Sequence, residues 1–306
     1  MTTSIAPATT ARAYVRLAKL DIVDYYLGVL VVGTLLPTAL RFDGGVLAAG
    51  GLFLLGEVFV IAAMVALDDL TGFRDGSDVA NYAPDDPKRR RYRKPLVAGT
   101  LTEDQVLRFA WVTGVIGALL WIAAIAAAPH APWWTVALIA VTYFFSVQYS
   151  WGVKLSYHGF QEFFIAALGW ALVLAPYGLA VGSLDGNVVV QALLFGLGPL
   201  LFGVYSNTND IKGDRKVGRP TVAALTSPRG NMRFIFAVTA VEAALIVCGP
   251  WLGTAWWFPV ALLPTLLLRA LQLRIAFAQG DILRARLLGI RIHRVTVVAL
   301  VTVNLL

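Results

Sequence analysis

Apolar runs of membrane-spanning length recur along this chain, and nothing else about it constrains the fold as strongly. A helix needs about 20 mostly apolar residues to cross a bilayer. Stretches of that kind fall near residues 22–40, 46–67, 107–128, 133–150, 160–182, 188–206, 233–250, 255–272 and 293–306. The expectation is an all-α, multi-pass membrane bundle of about nine helices. The composition agrees: 58% of the 306 residues are hydrophobic and only 14% charged, against about 25% charged in a soluble domain. No long polar linker interrupts the pattern, so residues 1–306 read as one domain behind a tail of about 20 residues. That tail is polar and basic, without the apolar core and cleavage site of a signal peptide. The single Cys248 cannot form an internal disulfide and reads as a small buried hydrophobe.

The net charge of +7 is unevenly placed. Of the Lys and Arg residues, only Arg41 lies in a loop after an odd-numbered span. The others fall in the tail, in the loops after even-numbered spans, or at the span ends beside them. The positive-inside rule puts the N terminus and the even loops in the cytoplasm, at the plasma membrane. Most bases of the 274–294 stretch need no role beyond facing anionic lipid. Aromatics and bases are not interleaved on a soluble face, so nucleic acid is not an expected partner.

Two acidic clusters end even-numbered spans. The first, in "ALDDLTGFRDGSDVANY", offers Asp68, Asp69, Asp75 and Asp78. Asp68 and Asp75 are two helical turns apart, and Asp75 and Asp78 share a face if the helix runs on through Gly72 and Gly76. The second, in "YSNTNDIKGDRKVGRPTVAAL", offers Asn207, Asp210 and Asp214 at i, i+3 and i+7. Like charges this close repel, so something positive belongs between them. Carboxylates without Cys or His make a hard, oxygen-only site that suits Mg²⁺, whose shell substrate phosphates usually complete. Arg74, Lys94, Lys154, Lys212 and Arg215 are the neighbouring bases that could hold phosphate oxygens.

These residues resemble the UbiA-type intramembrane prenyltransferases. "NDIKGDRKVGRPTVA" is similar to the family's second aspartate motif, with Asp210 and Asp214 in the two Asp positions and Asn207 in an upstream polar one. "RKPLVAGTLTEDQV" resembles the segment after the first motif, with Lys94 for the usual Arg, and "YSWGVKLSYHGFQEF" resembles the Tyr-Ser…Lys loop between spans four and five. The first motif departs from the family: Asp68 replaces Asn, Asp69 is kept, and Gly72 and Gly76 stand where later Asp residues belong. Asp69 is the first choice there, then Asp75 and Asp68, then Asp78; Asp85 and Asp86 read as plain loop. The resemblance implies nine helices and a reaction in which a prenyl diphosphate ionises on Mg²⁺ to an allylic cation that a small aromatic acceptor captures. On that reading Asp69, Asp210 and Asp214 are catalytic, and Asp68, Asp75, Asp78 and Asn207 join them around the metal. Arg74, Lys94, Tyr149, Lys154, Lys212 and Arg215 bind diphosphate.

Tyr143, Phe144, Phe145, Tyr149 and Trp151 could steady the cation through their ring faces, whereas Trp133, Trp134, Trp256 and Trp257 read as interface anchors. Glu57, Glu162 and Glu242 lie within or beside spans and are functional candidates by default, with no catalytic role assigned. His158 is a possible base in a loop. A membrane terpene cyclase on the same scaffold and an ion-coupled transporter are the competing expectations. Acids concentrated at span ends rather than at mid-bilayer argue against transport.

Overall fold

The computed structural model describes residues 10–20, 22–82 and 91–306. Asp85 and Asp86 lie outside them. The described residues form helices and turns, without a strand. The helices are α1 (Thr10–Leu17), α2 (Gly28–Leu35), α3 (Gly44–Arg74), α4 (Ser77–Asn81), α5 (Glu103–Ala127), α6 (Trp133–Gln148), α7 (Gln161–Val181), α8 (Gly186–Val217), α9 (Val222–Leu225), α10 (Pro228–Cys248), α11 (Phe258–Ala261), α12 (Leu263–Leu273) and α13 (Ile282–Leu305). Six are long and apolar enough to cross a membrane: α3, α5, α7, α8, α10 with the turn after it, and α13. The runs expected at 22–40, 133–150 and 255–272 yield shorter helices, α2, α6 and the broken pair α11–α12.

Helix starts follow local chemistry. Asp43, Asp185, Ser227 and Asp281 accept backbone N–H bonds at the first turns of α3, α8, α10 and α13, and Thr102 with Gln105 forms a reciprocal capping box on α5. The final helix begins at Ile282, earlier than the expected 293, because Asp281 caps it and its early Arg residues sit on a helical face.

Helix α8 is the centre of the bundle, with 83% of its apolar window buried, and α7, α13 and α10 pack around it. α7 and α8 approach at a glycine contact: a Cβ on Gly169 would lie 2.5 Å from the Cα of Gly196. α10 is peripheral, with only 22% of its window buried. Cys248 ends that helix and is exposed rather than buried, because the last turn of α10 faces outward. The tail, the α3–α4 end, the α6–α7 loop and the α8–α9 turn meet at one end of the bundle, where Lys19 pairs with Asp69, and Ser150 and Arg219 contact Asp68.

Candidate active site

The first acidic cluster is shaped by two glycines. α3 runs through Gly72 to Arg74, seven residues beyond the expected span, and Asp75 caps it. Gly76 then adopts φ +80°, a left-handed conformation that side-chain-bearing residues adopt at a cost. The turn swings α4 back so that the Asp78 carboxyl group lies on Gly72, where a Cβ would come within 2.9 Å of it. Asp75 and Asp78 thus sit on separate helices, yet Asp78 returns to the acid pair of α3. Lys94 Nζ donates to Asp69 Oδ1 at 2.8 Å and to Asp78 Oδ2 at 2.7 Å. Lys19 Nζ lies 3.1 Å from the same Asp69 oxygen. Lys94 is buried, which works against its charge, but Asp69 and Asp78 outweigh the burial and hold its pKa well above the ordinary lysine value.

The second cluster occupies the last turns of α8. Asp214 is buried and accepts from Thr221 Oγ1 at 3.1 Å. Asp210 is half-buried at the edge, beside Asn209. Asn207 is buried with both ends of its amide engaged: Gln161 Nε2 donates to its Oδ1 at 2.9 Å, and its Nδ2 donates to Glu162 Oε1 at 2.9 Å. Gly218, at φ +72°, stops the helix and turns the chain. One residue later Arg219 reaches across to Asp68 Oδ1 at 2.8 Å. Ser150 Oγ donates to that same oxygen at 2.7 Å, and the guanidinium lies 4.9 Å from the Tyr157 ring centroid. At its own end the Arg219 backbone N–H donates to the Asp214 carbonyl at 2.9 Å. One cation therefore links the two acidic helix ends. Tyr157 in turn hydrogen-bonds Asp75, which also accepts from Ser77 N at 2.8 Å.

The other expected phosphate ligands are less central. Arg74 pairs with Glu103 at 2.7 Å and lies 5.5 Å from the Trp151 ring. Lys154 is exposed, 5.5 Å from the Tyr157 ring. Arg74, Lys154, Asp75 and Trp151 line a cavity of about 540 Å³ at this end. Lys212 is exposed, Arg215 donates to the carbonyls of Ala224 and Thr226, and Tyr149 packs on Phe164. Phe144 and Phe145 face outward, and Tyr143 donates to the Gly114 carbonyl. His158 is exposed.

Lys19, Ser150, Tyr157, Thr221 and Arg219 escaped the sequence reading. For Arg219 the signal was present, as the basic residue just past the helix-ending glycine of the second motif. For Lys19 nothing local distinguishes it from the other tail charges. Of the deeper acids, Glu242 forms a buried two-oxygen pair with Arg269 at 2.7 and 2.8 Å. Glu57 is buried, with Oε1 lacking any partner.

Among the described residues, no group of three or more His, Cys, Asp or Glu is arranged to hold a metal by itself. The donor set nevertheless fits a hard cation that another ligand completes. It is all oxygen, and Asp69 Oδ2 is buried without a hydrogen-bond partner.

Two acidic helix ends, with Arg219 reaching from one to the other, therefore lie at one end of a helical bundle that has six helices long and apolar enough to cross a membrane. Residues 26–288 match the model of the UbiA prenyltransferase family, and the chain belongs to that family. Among curated protein sequences, none matches. Several solved structures share the fold. A digeranylgeranylglyceryl phosphate synthase superposes with a TM-score of 0.67 at 12% identity, over 97% of this chain and 99% of that one. A UbiA homologue from Archaeoglobus fulgidus bound to DMAPP and Mg²⁺ gives 0.65 at 12% identity, over 94% and 98%. The apo UbiA homologue from Aeropyrum pernix K1 gives 0.64 at 21% identity, over 98% and 100%.

Proposed function

We propose that this protein is a Mg²⁺-dependent prenyltransferase. It moves a prenyl group from a prenyl diphosphate to a small aromatic acceptor, a phenol or quinone precursor. The observation that carries the reading is Arg219 joining Asp68 to the second acidic helix end, with Lys94 and Lys19 on Asp69. These cations hold the acids together and can turn to the oxygens of an incoming diphosphate. Family membership and the relative bound to DMAPP and Mg²⁺ support the same reading. On this reading α2, α6 and α12 are crossings too, nine in all, in the plasma membrane, and the charge asymmetry supports a cytoplasmic N terminus and site.

On this reading Asp69, Asp210 and Asp214, with Asp68, Asp75 and Asp78 beside them, supply the oxygens for Mg²⁺. When bound, the metal would offset charge on the leaving diphosphate. Arg219, Lys94 and Lys19 bind the diphosphate, and Arg74 and Lys154 hold it at the cavity mouth. The C1–O bond breaks with its electron pair going to diphosphate. A ring carbon of the acceptor then gives a π pair to C1, and the ring loses a proton. The apolar walls keep water from the cation. Transport would call on a deep acid: Glu242 is neutralised by Arg269, so that reading would rest on Glu57, which is buried with Oε1 unpartnered.

The test is diphosphate release by purified protein offered geranyl, farnesyl or geranylgeranyl diphosphate with Mg²⁺, with and without a panel of phenols. Release is expected only with Mg²⁺ and an acceptor, and is expected to fall by about a hundred- to a thousandfold in Asp210→Ala and Asp214→Ala. Release without acceptor, giving a cyclised hydrocarbon, would replace the transferase with a terpene cyclase.

A further inference from the structure

The geometry points to Glu162 as a positioning residue: it locks Asn207 and the backbone behind Arg219 into one unit, and Asn207 serves that lock rather than the metal. This inference rests on the prenyl-transfer reading for its kinetic consequences only. Glu162 stands in the first turn of α7 and is buried. Its Oε1 accepts from Asn207 Nδ2 at 2.9 Å and from Val222 N at 3.0 Å. Gln161 Nε2 donates to Asn207 Oδ1 at 2.9 Å. The Asn207 amide therefore spends its oxygen on Gln161 and a donor on Glu162. To bind a metal, its oxygen would have to leave a buried hydrogen bond and strand the Gln161 amide without an acceptor.

The second arm of the lock explains how it reaches the chemistry. Val222 opens α9, and its neighbour Thr221 donates to Asp214 Oδ2 while capping Ala224 N. The chain between Gly218 and Val222 carries Arg219 to Asp68. Glu162 holds the far end of that segment, Gly218 the near end, and Thr221 ties it to Asp214. Releasing Val222 N frees the segment that aims Arg219. A carboxylate is suited to this point because it accepts from two donors at once.

A side-chain exchange tests the arrangement. Asn207→Asp places a second carboxylate against Glu162 and removes the donor between them. Adding Glu162→Gln restores a donor toward position 207, but native Oε1 serves both donors, so the amide must turn to keep its oxygen on Val222 N. Full-length protein in detergent is assayed for unfolding midpoint, KM and kcat for farnesyl diphosphate, and half-saturating Mg²⁺. Asn207→Asp and Glu162→Ala are each expected to lower the midpoint and raise the farnesyl diphosphate KM by about tenfold or more. The half-saturating Mg²⁺ is expected to stay within about twofold, since neither residue is a ligand. The double variant is expected to return midpoint and KM to within about threefold of the native values, the mark of two residues acting as one unit.

Additive midpoint losses in Asn207→Ala, Glu162→Ala and the two combined would overturn the lock, whether or not the exchange restores the midpoint. Tighter Mg²⁺ binding in Asn207→Asp alone, or a large Mg²⁺ shift in Asn207→Ala without one in Glu162→Ala, would return Asn207 to the metal. If native protein releases no diphosphate, the prenyl-transfer reading fails, and the additivity of the midpoint losses still decides the lock.

Discussion

Arg219 and Lys94 show how single charges organise the site. Each sits between acids that would otherwise repel, and each is sheltered from water. Removing a partner from a buried ion pair costs about 3–5 kcal/mol, because the remaining charge stays buried. Lys94→Met should therefore lower the unfolding midpoint markedly, with Asp69 and Asp78 left facing each other. Arg219→Ala should raise the KM for prenyl diphosphate more than it lowers stability, since Ser150 still holds Asp68. The Lys94 pKa is raised on folding. Its contribution to stability is thus fully present below the ordinary value of about 10.4 and is lost only as pH climbs through the raised folded value. Unfolding midpoints followed from pH 6 to 9 should show no step from this lysine. The acids Asp210 and Asp214 are legible in the sequence because their spacing is helical. The partnership of Arg219 with Asp68 is not, because the two are 151 positions apart.

At the level of elements, the end of α3 is where local sequence and local shape part company. Gly72 reads as a helix breaker, yet the helix passes through it. The glycine is there for space, since the Asp78 carboxyl group occupies the place of a Cβ. Gly76 does the breaking, in a left-handed turn. The two should respond differently to alanine. Gly76→Ala should cost about 1 kcal/mol of stability from backbone strain. Gly72→Ala, which favours the helix, should displace Asp78 from Lys94 and reduce diphosphate release more than Gly76→Ala does. Comparing the two by midpoint and turnover separates strain from displacement. If Gly72→Ala proves the milder in turnover, Asp78 is not part of the working site.

Over the whole molecule, the acidic helix ends and their cations gather at one end, and Glu242 and Arg269 pair deep in the bundle. Glu242 on α10 and Arg269 on α12 form a buried pair that Gln272 extends. Glu242→Gln should lower the unfolding midpoint by leaving Arg269 uncompensated, while the KM for prenyl diphosphate stays within about twofold. A double change of both residues to leucine should recover most of that loss, since apolar replacements of buried pairs are often neutral or stabilising. If Glu242→Gln instead abolishes turnover in protein that remains folded, the pair belongs to the reaction and not to the brace.

The amino-acid sequence by itself determined the helical membrane class, the end of the chain's helices at which charge gathers, and the two acidic segments. Those properties are carried by runs and spacings, which the periodicity of one helix and the solvation cost of charge in lipid dictate locally. Only the tertiary structure decided which charges meet. Lys19 from the tail, Lys94 from a loop and Arg219 from beyond a helix stop converge on Asp68 and Asp69. Glu162 and Asn207 close on each other from separate helices. Such pairings depend on how whole helices pack around α8, and no stretch of sequence contains both members of the pair.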